Sequence, residues 1–266
     1  VSVAPAAVAE PVLLRHQEGG VVTLTLNRPA QFNALSDELL AALQQALDAI
    51  ALDASVRVVV LAGAGKAFCA GHDLKQMRTT PTLAFQRDLF RRCGRVMTTL
   101  TAMPQPVIAR VHGLATAAGC QLVATCDLAV AAEDARFAVS GINVGLFCAT
   151  PSVALGRAMP RKQAMELLLT GDFIDAAEAR ARGLVNRVVP AAALDAEVRK
   201  LTLAICGKSS VAVSMGKQVF YRQLELGVEA AYELAGETMA RNMMAGDAGE
   251  GIDAFLARRP PVWKGA

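Results

Sequence analysis

Histidine is scarce in this chain, occurring only at His16, His72 and His112, and three scattered imidazoles do not make a metal ligand set. The six cysteines, Cys69, Cys93, Cys120, Cys126, Cys148 and Cys206, form no CxxC pair and no Cys/His spacing. Most lie in apolar runs, so they read as reduced, buried small residues in a reducing compartment. No stretch reaches the roughly 18–20 uninterrupted apolar residues of a membrane span, and no membrane partner is expected. The net charge is only +3, too mild for a nucleic-acid binder but compatible with a ligand that carries phosphates. Residues 1–11 lack both a basic n-region and a long apolar h-region, and read as a flexible tail or a trimmed leader.

Apolar residues are plentiful. At 53% hydrophobic over 266 residues, the chain supports one large core domain with a helical appendage. Aromatics supply only 5% and alanine is abundant, a composition suited to close helix packing.

Two segments of similar design stand out, KAFCAGHDL (66–74) and HGLATAAGCQL (112–122). An apolar strand pattern feeds each one, VRVVVLAG (56–63) before the first and PVIARV (106–111) before the second. Each then runs through small residues into a helix pattern. A strand, a tight turn and a helix start leave backbone N–H groups without intrahelical partners. Two such turns from neighbouring layers can aim two amides at one oxygen, which stabilises an enolate or tetrahedral oxyanion without an ionisable side chain.

The rest of the chain follows a rhythm. Segments 12–17 and 21–27 read as a hairpin across Glu18-Gly19-Gly20. Leu39, Leu43, Leu47 and Ile50 follow helical spacing behind Ser36 as N-cap. Strand 106–111, helix 118–126 and strands 127–132 and 136–139 repeat a ββα unit, as in stacked solenoids. Beyond residue 146 strands nearly vanish apart from NRVVP, and helices are predicted at 190–206, 209–226, 229–244 and 249–259. Gly227, Gly246 and Gly249 read as C-cap or turn positions.

The segments LNRPAQFNALS, FCAGHDL, GLATAAGCQLVATCDLAVA, LLLTGDFIDAAEARARGLVNRVVP and EGIDAFLARRPPVW, in this order, resemble the crotonase (enoyl-CoA hydratase/isomerase) superfamily over nearly the whole chain. The resemblance implies an α/β fold: a ββα spiral core over 12–200 binding acyl-CoA, and a C-terminal helical trimerisation region over 201–266. It implies a homotrimer or a dimer of trimers. Coenzyme A enters as part of the substrate, and no separate cofactor or metal is implied. The compartment would be the cytoplasm of a bacterium or the mitochondrial matrix of a eukaryote.

On the same resemblance, the oxyanion donors fall at Ala70 and Ala118. The two glutamates that family hydratases use as acid and base fall at Gln121 and Gly141, neither of which can ionise. Losing one positioned acid or base costs on the order of 10²–10⁴ in rate, so ordinary hydration is expected to be weak. Glutamates placed at both positions are expected to raise it. Possible substitutes are His72, Asp73 and Asn143, with Ser140 beside the last. The plainer alternative has Asp73 capping a helix while His72 faces solvent or the pantetheine arm. Cys120 and Cys148 flank the region without a basic partner to activate a thiolate.

The resemblance places coenzyme A contacts at Arg28, Lys66, Ala67, Ala70, Gly71, His72, Asp73, Leu74 and Ala118, with Phe255 and Arg258 reaching the adenine end. For Lys66, Lys75 and Arg259, surface solvation is the alternative. The acyl pocket is expected in loops such as 76–81 and in neighbouring helices. Within the enzyme class, malonyl-type decarboxylation and thioester hydrolysis stand beside hydration. A CoA-ester binding protein without turnover is the reading from another class.

Overall fold

A computed structural model describes residues 10–266, so the expected tail is outside the described residues as far as residue 9. The chain opens with the expected hairpin, β1 (Leu13–Glu18) and β2 (Val21–Leu26), paired antiparallel with Leu13 opposite Leu26. Ser36 then caps α1 (Asp37–Ala51), its hydroxyl accepting the Leu39 N–H at 3.2 Å. Leu39, Leu43, Leu47 and Ile50 are buried on one face, as their spacing predicted.

β3 (Val58–Gly63) is buried along its whole length, which suits an apolar run inside a parallel sheet covered on both faces. It is followed by β4 (Ala67–Cys69), α2 (Leu74–Thr79), α3 (Leu83–Ala102), β5 (Val107–Val111), β6 (Leu114–Thr116), α4 (Ala118–Thr125), β7 (Leu128–Ala132) and β8 (Arg136–Ala138). The pairs β3/β4, β5/β6 and β7/β8 each send one strand to each of two sheets, so every turn of the spiral adds a rung to both. The larger sheet runs β1-β2-β3-β5-β7 and is parallel from β2 onward; the smaller runs β4-β6-β8 in parallel.

Helices then dominate: α5 (Ala149–Ala158), α6 (Arg161–Thr170), α7 (Ala176–Ala181), α8 (Leu194–Cys206), α9 (Ser210–Gln223), α10 (Val228–Met243) and α11 (Gly246–Leu256). Two short strands interrupt them. β9 (Ile174–Asp175) closes the small sheet against β8, and β10 (Arg187–Val189) pairs with β7 at the edge of the large one. β10 is the expected NRVVP strand. β9 escaped the sequence because two residues carry no periodicity. The large sheet has the main core on one face. On the other, Val58, Val60, Ile108 and Val130 pack under Leu194 and Val198 of α8. The expected boundary at 200/201 falls within α8.

Two local expectations are corrected. Gly246 and Gly249 lie inside α11 and are neither C-caps nor turn residues, whereas Gly227 does stand in the turn ahead of α10, as its N-cap. Residues 76–79 of the expected acyl-pocket loop 76–81 belong instead to the helix α2, because the Asp73 carboxylate accepts the Gln76 N–H and starts it. No helix of the described residues is long and apolar enough to cross a membrane.

Candidate active site

The segment before α1 holds the first turn in place. Asn33, fully buried in a left-handed conformation, donates from its amide to the carbonyls of Ala64 (2.8 Å) and Ala67 (2.7 Å) and accepts the Arg28 N–H. Every polar atom of this side chain is thereby satisfied inside the core. Sequence reading missed it, although its place in LNRPAQFNALS is a signal. The Arg28 guanidinium bonds the Ala34 carbonyl at 2.6 Å and the Asp73 carboxylate at 3.0 Å, so it clamps the turn.

Backbone pairing then decides which amides of the first turn are free. The Ala70 N–H donates to the Phe32 carbonyl at 3.0 Å, and is therefore already used. This corrects its assignment as an oxyanion donor. Leu35 pairs with its N–H on the Gly71 carbonyl (2.7 Å) and its carbonyl on the Asp73 N–H (3.1 Å). That bridge leaves the intervening His72 N–H pointing away from Leu35, with no partner among the described residues. Gly71, at φ +91°, makes the bend.

The second turn is close by. Ala117 sits at φ 50° and ψ −120°, an unfavourable region for a residue with a Cβ, and donates its N–H to the Ala138 carbonyl. Ala118 opens α4, and its N–H is likewise unpartnered among the described residues. A methyl built on Gly71 would lie 3.2 Å from the Ala118 nitrogen, so the turns touch. Gly119 permits this approach: a Cβ there would fall 2.0 Å from the Cys69 carbonyl oxygen.

The residues at the glutamate positions differ in character. Gln121 is 4% exposed, and its Oε1 is buried without a hydrogen-bond partner. It borders a cleft of about 1030 Å³ with Met97, Thr98, Val153, Tyr221 and Leu224. Gly141 lies in a 3-10 turn (Ser140–Val144) where a Cβ would meet the Leu146 carbonyl at 2.6 Å and the Cys148 sulfur at 2.8 Å. A side chain there has no room until that turn moves, which corrects the expectation that a glutamate fits at both positions.

The suggested substitutes are mostly committed elsewhere. The Asn143 amide donates to the Gly171 carbonyl at 3.3 Å, and the Ser140 hydroxyl pairs with Thr116 at 2.8 Å. Burial alone would raise the Asp73 pKa, but the Gln76 amide and Arg28 outweigh it and hold the carboxyl below its usual range. His72 does not face solvent: its Nε2 is buried without a partner, and the ring meets Phe90 edge-on with centroids 5.3 Å apart. Burial brings its pKa down to about 4, so the imidazole is neutral near pH 7. Burial pushes the Cys69, Cys93 and Cys120 thiols up to about 12 and raises Cys148 too, which leaves no activated thiolate here.

Among the proposed coenzyme A contacts, Ala67 is buried in β4, while Lys66, Leu74 and Lys75 are exposed around the first turn. His112 bonds the Gly65 carbonyl at 2.9 Å, a structural role, and His16 is exposed on β1. Phe255 and Arg258 are exposed at the end of α11, which packs on α9 and α10 and has no hydrogen bond to either turn. Arg259 is bound to Glu250 at 2.6 and 2.8 Å.

Two sheets wound in ββα turns, with helices gathered at the C-terminus, define the crotonase fold class, and comparison with known proteins agrees. A family model described as enoyl-CoA hydratase/isomerase matches residues 16–266, and the chain belongs to that family. The crystal structure of an enoyl-CoA hydratase from Mycobacterium smegmatis superposes with a TM-score of 0.94 at 60% identity, covering 96% of this chain and 99% of that one. Human enoyl-CoA hydratase domain-containing protein 3 superposes with a TM-score of 0.92 at 43% identity, over 95% and 100% of the two chains. The mitochondrial protein of the same name from Xenopus laevis is 45% identical over 253 residues, 95% of this chain and 86% of that protein.

Proposed function

We propose that the chain binds acyl-CoA thioesters with the thioester carbonyl between the two turns, where the His72 and Ala118 N–H groups form an oxyanion hole for an enolate. One observation carries this reading: two unspent backbone amides on turns that touch, each held by pairing of its neighbours. A preorganised donor of this kind contributes on the order of 10²–10³ in rate, and needs no particular side chain. Exposed Lys66 and Lys75 beside the first turn suit the phosphates of the nucleotide.

Gln121 and Gly141 set the chemistry apart from ordinary hydration. A neutral amide can hold a water molecule or a carbonyl but takes no proton from either. This supports reactions that reach the enolate without a base, such as decarboxylation of a malonyl-type thioester, and thioester hydrolysis beside it. Binding without turnover is the remaining alternative. A β-ketoacyl-CoA tests the hole directly, because two amides on its thioester oxygen favour loss of the acidic α-proton to solvent, and the enolate that results carries its own ultraviolet band. Saturable binding with that band supports the reading, and the absence of both overturns it. Crotonyl-CoA, a malonyl-type CoA and a simple acyl-CoA then separate the reactions by product.

Assembly belongs to the same proposal. No residue of α10 is buried, while Val228 (75% exposed), Tyr232 (77%) and Met239 (64%) lie on its outer side. So much uncovered apolar surface favours a closed trimer or a pair of trimers. Light scattering at the 27.9 kDa monomer mass would contradict this. The compartment follows the source: the mitochondrial matrix for a eukaryotic chain, with relatives whose names say mitochondrial, and the cytoplasm for a bacterial one.

A further inference from the structure

Ala117 carries a methyl group where the backbone conformation suits glycine. Its φ of 50° and ψ of −120° lie in a region that residues with a Cβ rarely enter. Two hydrogen bonds hold it there. Its N–H donates to the Ala138 carbonyl of β8 at 3.0 Å, and its carbonyl accepts the Gln121 N–H at 3.0 Å. Glycine would make the same two bonds without the strain, and strain kept in this way is characteristic of functional sites.

The same dihedral angles say where the methyl lies. At ψ −120° the Cα–Cβ bond of an L residue eclipses the bond from its carbonyl carbon to the next nitrogen. A trans peptide also turns the next N–H toward that Cα. The Ala117 methyl therefore stands beside the free Ala118 N–H. Gly71 is on its other side: a Cβ there would come within 2.8 Å of the Ala117 Cβ. Ala117 is also the only residue from 115 to 123, apart from none of its direct neighbours, that is not buried. An oxygen that accepts the Ala118 N–H lies against this methyl.

We infer that the Ala117 methyl selects the acyl group, admitting thioesters with an unbranched α-carbon and rejecting those that carry a branch there. This rests on the thioester-binding reading above. A thioester carbonyl has two flanks, the sulfur and the α-carbon. The sulfur flank is the same in every CoA thioester, so a methyl crowding the oxygen discriminates among them only through the α-carbon. A longer side chain could swing aside, but a Cβ is fixed by its backbone, and both backbone groups of Ala117 are paired. The substrate class is then acyl-CoA thioesters with a single chain or carboxyl group leaving the α-carbon.

Butyryl-CoA and isobutyryl-CoA have the same number of carbons and differ only in the branch at the α-carbon, so comparing them cancels most of the apolar transfer. In calorimetric titration of the full chain, butyryl-CoA should bind wild type at least about tenfold more tightly than isobutyryl-CoA. Ala117→Gly should bring the two within about twofold, chiefly through tighter binding of isobutyryl-CoA. The variant should melt no lower than wild type, because it relieves strain. Equal affinities in wild type overturn the inference without any variant, and a preference that survives in folded Ala117→Gly overturns it too. Failure of both thioesters and of free coenzyme A to bind wild type overturns the thioester-binding reading, and this inference with it.

Discussion

The Lys217 ammonium on α9 and the Asp127 carboxylate ahead of β7 meet at 2.8 Å, although 90 residues separate them in the chain. Lys217 also donates to the carbonyls of Leu100 (2.7 Å) and Gln105 (2.8 Å), while Asp127 accepts the Val107 N–H (2.6 Å) and the Tyr221 hydroxyl (2.9 Å). The pair thus ties α9 to the end of α3 and the heads of β5 and β7. Burial lowers the Lys217 pKa, and Asp127 opposes the shift.

Removing one partner should strand the other. Lys217→Met is expected to destabilise the chain by about 3–5 kcal/mol, the usual cost of breaking a buried ion pair. The double change Lys217→Met with Asp127→Asn should cost less than the two single changes combined. Denaturant unfolding of the three variants measures this coupling. Additive losses would mean that the two groups act independently.

Glutamate replacement should be asymmetric. Gln121→Glu is close to isosteric and should fold, with its carboxyl pKa raised by burial. Gly141→Glu should lower the melting temperature, because its Cβ would sit 2.6 Å from the Leu146 carbonyl. Crotonyl-CoA hydration by wild type is expected at least about 10²-fold below a two-glutamate relative. Adding Gly141→Glu to Gln121→Glu should then give no further gain. A well-folded double variant with hydratase-level rates would refute the steric argument.

His72 predicts a pH dependence. Its folded pKa of about 4 lies below the ordinary 6.5, so the unfolded chain binds the extra proton first. The stability linked to it is complete above pH 6.5 and is lost as pH falls from 6.5 toward 4. The linked loss is roughly 3 kcal/mol between pH 7 and 4. His72→Gln should remove that part of the acid sensitivity. Urea midpoints for both proteins across this range should converge at low pH, and parallel curves would contradict the assignment.

The two turns should respond oppositely to substitution. Ala117→Gly relieves a strained conformation and should stabilise the chain by about 1 kcal/mol. Gly71→Ala adds a methyl 2.8 Å from the Ala117 Cβ, at φ +91°, and should be clearly destabilising. Thermal melts of the two variants shifting in the same direction would undermine the contact between the turns.

Much of this architecture was legible from residue order. The Ser36 cap, the leucine spacing of α1, the hairpin glycines and the apolar strands at 58–63 and 107–111 are local features, governed by neighbours a few residues away. The same holds for the two small-residue turns. Asn33 and Lys217 were not singled out, because a polar residue does not announce that its partners wait 31 to 117 residues away.

By itself the sequence determined the N-terminal hairpin, the strand and helix rhythm of the core apart from α2 and β9, the absence of ionisable groups at positions 121 and 141, and the place of the two turns. These follow from periodicity, capping and residue chemistry, which act over short stretches of chain. Tertiary structure decided the rest. It spent the Ala70 amide on Phe32 and left that of His72 free, closed Gly141 against Leu146, and buried the His72 ring beside Phe90. Each outcome depends on which distant backbone or ring comes within hydrogen-bonding or van der Waals reach, and only the folded packing brings them there.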